Sequence, residues 1–264
     1  MKLKSLLLGA LLCLLAQGAA AAAPVVRVGG YNFPPFVFFN HDGSYSGLTL
    51  DMIQAMNRFQ DDYRFRFVPT SAQRRYRGME RGAFQMIFFE SVLWGWQGRK
   101  VKPTRVYLKG GEVFIARKLP GRTTAYFDFL GGKRIIGILG YHYAFANFRT
   151  DPDYLRRIFN MVLTTSPSGN IMMVIRGRAD IAVVTKSYLE LFLKKHPAYR
   201  KLLMVSPRMD QIYHHTILVK DGTRPGVDEM NQLLDAMERA GVLHRLWRKY
   251  GLSCGYGGVH GDTQ

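Results

Sequence analysis

From Val25 onward the chain alternates strand-like and helix-like runs, and the alternation begins again after the turn at Gly131-Gly132. A strand, helix, strand order pairs its strands in parallel, because the crossover helix returns the chain to the same end of the sheet. Two such series imply two mainly parallel sheets, each flanked by helices. In the first, Val25 to Val28 reads as a strand, and Pro34-Pro35 forces an extended turn. A helix then starts at Gly47, with Leu48, Met52, Ala55, Met56 and Phe59 on one face. Phe65 and Phe67 alternate with Arg64 and Arg66 as in a half-buried strand over Tyr63 to Val68. A basic helix over Ala72 to Arg81, an apolar strand over Phe84 to Phe89 and a strand over Val106 to Ala116 follow. The second series has strand Arg134 to Leu139, helical segments between Tyr143 and Phe159, strand Met161 to Thr165 and a helix capped by Ser168. Strand Ile181 to Val184 leads to a helix over Ser187 to Lys195 that Pro197 stops. Strand His215 to Val219 and helices over Val227 to Ala240 and Val242 to Tyr250 close the ordered part, and the glycine-rich 255–264 predicts a disordered tail.

Ahead of this pattern lie Lys2 and Lys4, an apolar run from Leu6 to Leu15, and Gly18 followed by Ala19 to Ala23. Charged start, short apolar core and small-residue exit are the order of a secretory signal peptide, and the core is too short to span a bilayer comfortably. Cleavage after Ala22 keeps Pro24 off the first mature position, so 1–22 is the expected signal and 242 of the 264 residues remain. Cys13 follows Leu12, where a lipid-anchored signal wants a small residue, and reads as part of the apolar core. Its removal leaves Cys254, so no internal disulfide is expected in an oxidising compartment and the hydrophobic core must hold the fold. At 47% apolar composition, a chain this long can build one large domain or two lobes.

The formal net charge of +18 favours encounter with anionic surfaces or solutes without defining the fold. In the densest cluster, Arg74, Arg75, Arg77 and Arg81, helical spacing places 74, 77 and 81 on one face. No interleaved aromatic motif accompanies them, so they read as a solvated face and no nucleic-acid partner is expected. The seven histidines show no HExxH or paired Cys and His spacing, and neither a Gly-x-Ser-x-Gly elbow nor a phosphate-binding loop is present. The expectation is therefore no metal, no cofactor and no catalytic residue. Ligands of open sheets bind beyond the carboxyl ends of the strands. That rule singles out Tyr31, Asn32 and Phe33, then Glu90, Ser91 and Trp94, then Gly140, Tyr141 and His142, and last Thr185 and Lys186.

Val26-Arg27-Val28-Gly29 is followed by Pro34-Pro35-Phe36, Asp42-Gly43, and Gly47-Leu48 with Asp51. Further on stand Gly131-Gly132-Lys133 with Gly137 and Gly140, then Gly177 to Val184, then Gly241-Val242-Leu243 with Lys249-Tyr250-Gly251. Together these motifs carry a resemblance to the periplasmic solute-binding proteins of polar amino-acid ABC transporters, the bacterial extracellular solute-binding proteins of family 3. It implies a two-lobed α/β fold, with lobe 1 from 23–115 plus 212–254 and lobe 2 from 116–211. The hinge crossings would fall near Phe114 to Lys118 and Val205 to Gln211. It further implies a monomer without chemistry of its own that binds a small solute between the lobes, in the periplasm, and delivers it to an inner-membrane ABC permease. Closure requires a ligand touching both lobes, because only contacts unique to the closed state shift the equilibrium.

At the ligand-reading positions the chain departs from an amino-acid carrier. Gln97 stands at the carboxylate-clamping arginine, with Arg99 two residues on, and Thr185 and Lys186 stand at the acid that holds the α-amino group. Gly30 replaces the acid after the first strand, and Val92 and Trp94 replace threonines. A zwitterion needs a planar bidentate donor at one end and a carboxylate at the other, so the ligand is not expected to be a standard α-amino acid. Glu90 with Trp94, Trp96, Tyr31, Phe33, Tyr141 and Tyr143 would suit an organic cation. Arg99, Lys186 and the start of a helix after Gly140 would suit an acidic solute. Trp94 and Trp96 would equally serve lobe packing. Two other readings stay open: a sensing or partner-binding module on the same scaffold, and a dehydratase-like enzyme using Glu90 or His142 as acid or base.

Overall fold

The structure, a computed structural model, describes residues 22–40 and 42–252. The expected signal peptide up to residue 21, the expected tail and Cys254 lie outside the described residues. β1 (Val25–Gly30) leads through the proline turn to a small ribbon, β2 (Phe38–Phe39) with β3 (Tyr45–Ser46), and then to α1 (Leu48–Phe59). The helix buries Leu48, Met52, Ala55 and Met56 as its spacing predicts and Ile53 besides, whereas Phe59, at its last turn, stays 37% exposed. β4 (Arg64–Pro69), α2 (Arg75–Glu80), the fully buried β5 (Met86–Glu90) and the short β6 (Val101–Pro103) complete the first series. β7 (Leu108–Arg117) crosses to the second, formed by β8 (Ile135–Ile138), α3 (Pro152–Phe159), β9 (Met161–Thr164), α4 (Pro167–Ile175), β10 (Ile181–Thr185) and α5 (Lys186–Lys195). β11 (Leu203–Lys220) returns, and α6 (Val227–Arg239) and α7 (Val242–Lys249) follow.

Two sheets result, joined by the two long strands. In one, β1 lies parallel between β4 and β5, and the end of β11 runs antiparallel to β5 and β6. In the other, β8 lies parallel between β9 and β10, and β7 runs antiparallel to β10 and to the earlier part of β11. Leu108 to Gly111 pair with His215 to Ile212 alone, whereas Glu112 to Ala116 also pair with β10. The stretch belonging to neither parallel core is therefore short.

Local packing explains why these segments take their places. Phe84 inserts between β1 and α2, where a Cβ on either Gly29 or Gly78 would come within 2.6 Å of its ring. Burying such a ring contributes roughly 1.5–3 kcal/mol, so the two glycines and the phenylalanine act as one unit. α4 differs from expectation at its start. Ser166, not Ser168, is the cap, its Oγ accepting the Gly169 N–H at 3.1 Å with Pro167 in the first turn. The region from Tyr143 to Phe159 holds one short 3-10 turn at Ala144–Ala146 before α3. β11 begins twelve residues before the expected strand at His215, since Leu203 to Val205, Met209 and Gln211 to His214 have ladder partners in β7 that the mixed composition hides.

Candidate functional site

The carboxyl ends of β1 and β5 face the loop after β8, and the cleft between them is closed by direct contacts. Tyr141 Oη donates to Asn32 O at 2.8 Å, and Asn32 Nδ2 donates to Thr165 O at 3.4 Å. Gln211, on β11, receives Trp94 Nε1–H on Oε1 at 2.9 Å and donates from Nε2 to His142 O and to Glu112 Oε2, the latter at 2.9 Å. Tyr31, Phe33, Trp94, Tyr141 and Tyr213 form an aromatic box around this point. Phe33 fills its centre, edge-on to Trp94 at 5.7 Å, to Tyr141 at 5.4 Å and to Tyr213 at 6.0 Å. About 10 Å³ stays free, room for about one water.

Arg75, in the first turn of α2, is 1% exposed and spans the cleft. Its Nη1 donates to Ala72 O and to Gly140 O, the latter at 3.4 Å, and Nη2 donates to Trp94 O at 3.3 Å and meets His142 Nδ1 at 3.4 Å. Its Nε faces Glu90 Oε1 at 3.4 Å, and the guanidinium lies over Tyr31 at 5.0 Å and over Tyr76 at 4.4 Å. Glu90 also accepts the Trp96 Nε1–H at 2.6 Å. Burial pushes the Glu90 carboxyl above the usual carboxylate range, against the opposing pull of Arg75 and of the Trp96 bond. A buried pair of this kind is costly to break by removing one member, because the other is left charged without a partner.

Glu112 stands on β7 where the sheets meet, 2% exposed. Burial raises its pKa from 4.5 to about 8, and Asp210 adds to the rise. Asp210 itself is held by the Ala144 and Phe145 N–H groups at 2.8 and 2.9 Å. A second small chamber adjoins, sharing Glu112 and Tyr141 and lined also by Thr185, Tyr188 and Asn170, whose Nδ2 has no partner. Burial, with Arg75 adding to it, holds His142 neutral with a pKa of about 3.

Of the residues expected from sequence, Tyr31, Phe33, Trp94, Tyr141 and His142 line the cleft, and Thr185 lines the adjoining chamber. Glu90 lies behind Arg75, and Ser91 turns its Oγ to the Leu93 N–H at 3.3 Å. Arg99 lies outside the cleft lining, donating to Gly95 O at 2.9 Å, paired with Glu80 and stacked on Tyr76 at 4.5 Å. Lys186 lies in a different groove, beside Lys109 and Ile212. Arg75, Glu112, Asn170, Gln211 and Tyr213 went unforeseen. Arg75 had a signal, being the one arginine of its cluster off the shared face. Glu112 had another, being an acid inside an apolar strand. Among the described residues there is no cluster of three or more metal-ligating side chains, and no helix is long and apolar enough to cross a membrane.

Two α/β sheets joined by two crossing strands, with polar groups of both converging on one cleft, are the architecture of a two-lobed solute-binding protein. The chain belongs to the bacterial extracellular solute-binding proteins, family 3, whose model matches residues 26–253. No curated protein sequence matches it. An ABC uptake transporter substrate-binding protein from Streptococcus pneumoniae with bound histidine is similar in fold, at TM-score 0.69 and 17% identity over 86% of this chain and 92% of that one. So is a putative binding component of an ABC transporter from Wolinella succinogenes complexed with lysine, at TM-score 0.67 and 17% identity over 88% and 97%. A third is an ancestral amino-acid-binding protein, a precursor of cyclohexadienyl dehydratase, at TM-score 0.63 and 18% identity over 86% and 94%. The family and these neighbours are binding proteins.

Proposed function

We propose that this protein, exported to the periplasm as a monomer, binds a small organic cation lacking a carboxylate between its lobes and delivers it to an inner-membrane ABC permease. The observation that carries the reading is Glu112, a buried carboxyl inside an aromatic box. It accepts from Gln211 and Tyr213, which leaves about two of the four acceptor sites it has once ionised for a ligand. Arg75 offers a carboxylate much less, because Glu90, three carbonyls and His142 already surround its guanidinium. With Arg99 and Lys186 outside the cleft, the acidic-solute reading loses its carriers. Aromatic faces favour an ammonium group, whose positive charge would draw the proton off the Glu112 carboxyl and leave it as the counter-ion, and Asn170 Nδ2 would take an acceptor atom of the same ligand. We place the lobes as 23–115 plus 212–254 and 116–211, the strand pairing favouring a crossing on β7 a few residues earlier. Chemistry is not part of the proposal: His142 is held neutral and Glu90 is walled off by Arg75.

Melting temperatures measured with a panel of primary and quaternary amines against the standard amino acids test this. Stabilisation is expected from at least one amine and from no amino acid, and the reverse pattern overturns it. The cleft contacts favour a second reading, a partner-binding module that stays shut without ligand, since Tyr141, Arg75 and Gln211 already bridge the sheets. X-ray scattering separates the two. A carrier contracts when the stabilising amine is added, and a shut module does not.

A further inference from the structure

A cavity far larger than the cleft lies on the other side of the crossing strands. It measures about 490 Å³, within the range of sites that hold small organic ligands. Its floor is the start of β7 and the middle of β11, and its walls are α5 from the second series and α6 and α7 from the first. The floor is apolar and open, with Ile212 60% exposed and Val106 40% exposed, and Trp247 and Leu252 add to the wall. Met209, 36% exposed, lines the same groove, and a contiguous apolar patch in a concave surface marks a binding surface.

The charges in the groove are unequal. Arg105 is matched by Asp235 and Glu238, both at 2.6 Å, and Glu190 is matched by Arg200 at 3.4 Å. Lys186 makes no hydrogen bond or ion pair among the described residues. The surplus is positive beside an apolar floor. We propose that this groove behind the hinge is a second ligand site, which takes a small amphipathic organic anion with its acid group at Lys186 and its apolar body on Ile212 and Val106. The site is separate from the cleft: Lys186 and Thr185 are neighbours in sequence but line different cavities.

The probe is 8-anilinonaphthalene-1-sulfonate, titrated by fluorescence into the folded wild-type chain, with decanoate as competitor. Saturable binding that decanoate reverses is expected. Lys186→Glu and Ile212→Glu should each weaken it by about fivefold or more, equivalent to ~1 kcal/mol. Circular dichroism and unchanged melting confirm that these surface variants are folded. Absence of saturable binding overturns the proposal, and so does binding that neither substitution alters or that decanoate leaves in place.

Discussion

The two faces of the crossing strands hold opposite kinds of space. On the cleft face Gln211, Tyr213 and His215 of β11 are buried, while Ile212 is exposed on the other face. Period-two alternation lets one strand line both cavities with different residues. The cleft is rich in chemistry and nearly full, with about 10 Å³ free beside Arg75, Glu112 and five aromatic rings. The groove is plain and roomy, with about 490 Å³ over an apolar floor. The comparison teaches that cavity size and functional chemistry separate in this molecule. The cleft is shaped by what its own side chains need from one another, and the groove by what they leave uncovered.

The sharpest way to break that contrast is to remove the cleft's own bridge. Arg75→Ala should destabilise the chain by about 3–5 kcal/mol in urea unfolding, because Glu90 is left buried without its counter-charge. A loss below about 0.5 kcal/mol, the usual size of a surface change, would show that the cleft is solvated and no tighter than the groove.

A smaller effect is expected from pH. Glu112 has its pKa raised to about 8 in the fold, so between 4.5 and about 8 the folded state keeps a proton that the unfolded state has lost. Its contribution therefore falls as pH rises through that window, by an amount on the order of a few kcal/mol. His142 and His215 have theirs lowered to about 3, so below 6.5 the unfolded state takes up protons first and stability falls with falling pH. Burial raises the Glu90 and Asp210 carboxyls as well, so the acids oppose the two histidines below 6.5 and act without them above it. Stability should thus decline above pH 6.5 in chemical unfolding followed across pH, and Glu112→Gln should lessen that decline. A wild-type curve that keeps rising to pH 8 would place the Glu112 carboxyl in a wetter setting than the structure describes.

The smallest effect belongs to the groove. Ile212→Ser should change stability by no more than about 0.5 kcal/mol, since a residue 60% exposed loses little contact. A larger loss would mean that Ile212 is covered in the working protein, and that the groove is not open.

Most of the framework was legible because periodicity carries it. Except at Phe59, the helix from Leu48 and the alternation of β4 bury the faces their spacing predicts. His214 and His215, adjacent on a strand, turn to opposite faces, one exposed and one buried. The start of β11 was not legible, because the segment from Leu203 lacks a clear alternation and is held as strand by pairing with β7 on both sides of an irregular stretch between Val205 and Gln211, where Met209 alone pairs. The cap of α4 was misplaced by two residues because Ser166 and Ser168 flank the same proline at plausible positions. Half of the candidate site was legible, since residues that end strands can be found from the strands. The rest was not. Arg75 sits in a helix and Glu112 inside a strand, and their role depends on what comes to face them.

By itself, then, the order of residues determined the two α/β series and the family. Local periodicity needs only neighbours within a few residues, and the family's motifs are spread along the whole of 26–253. Only the tertiary structure decided which charges meet. It set Arg75 against Glu90, left Glu112 at the junction of the sheets, and sent Lys186 to the far side of the strand from Thr185. Burial and pairing are properties of segments brought together from distant parts of the chain, and a charge takes its meaning from the partner it finds there.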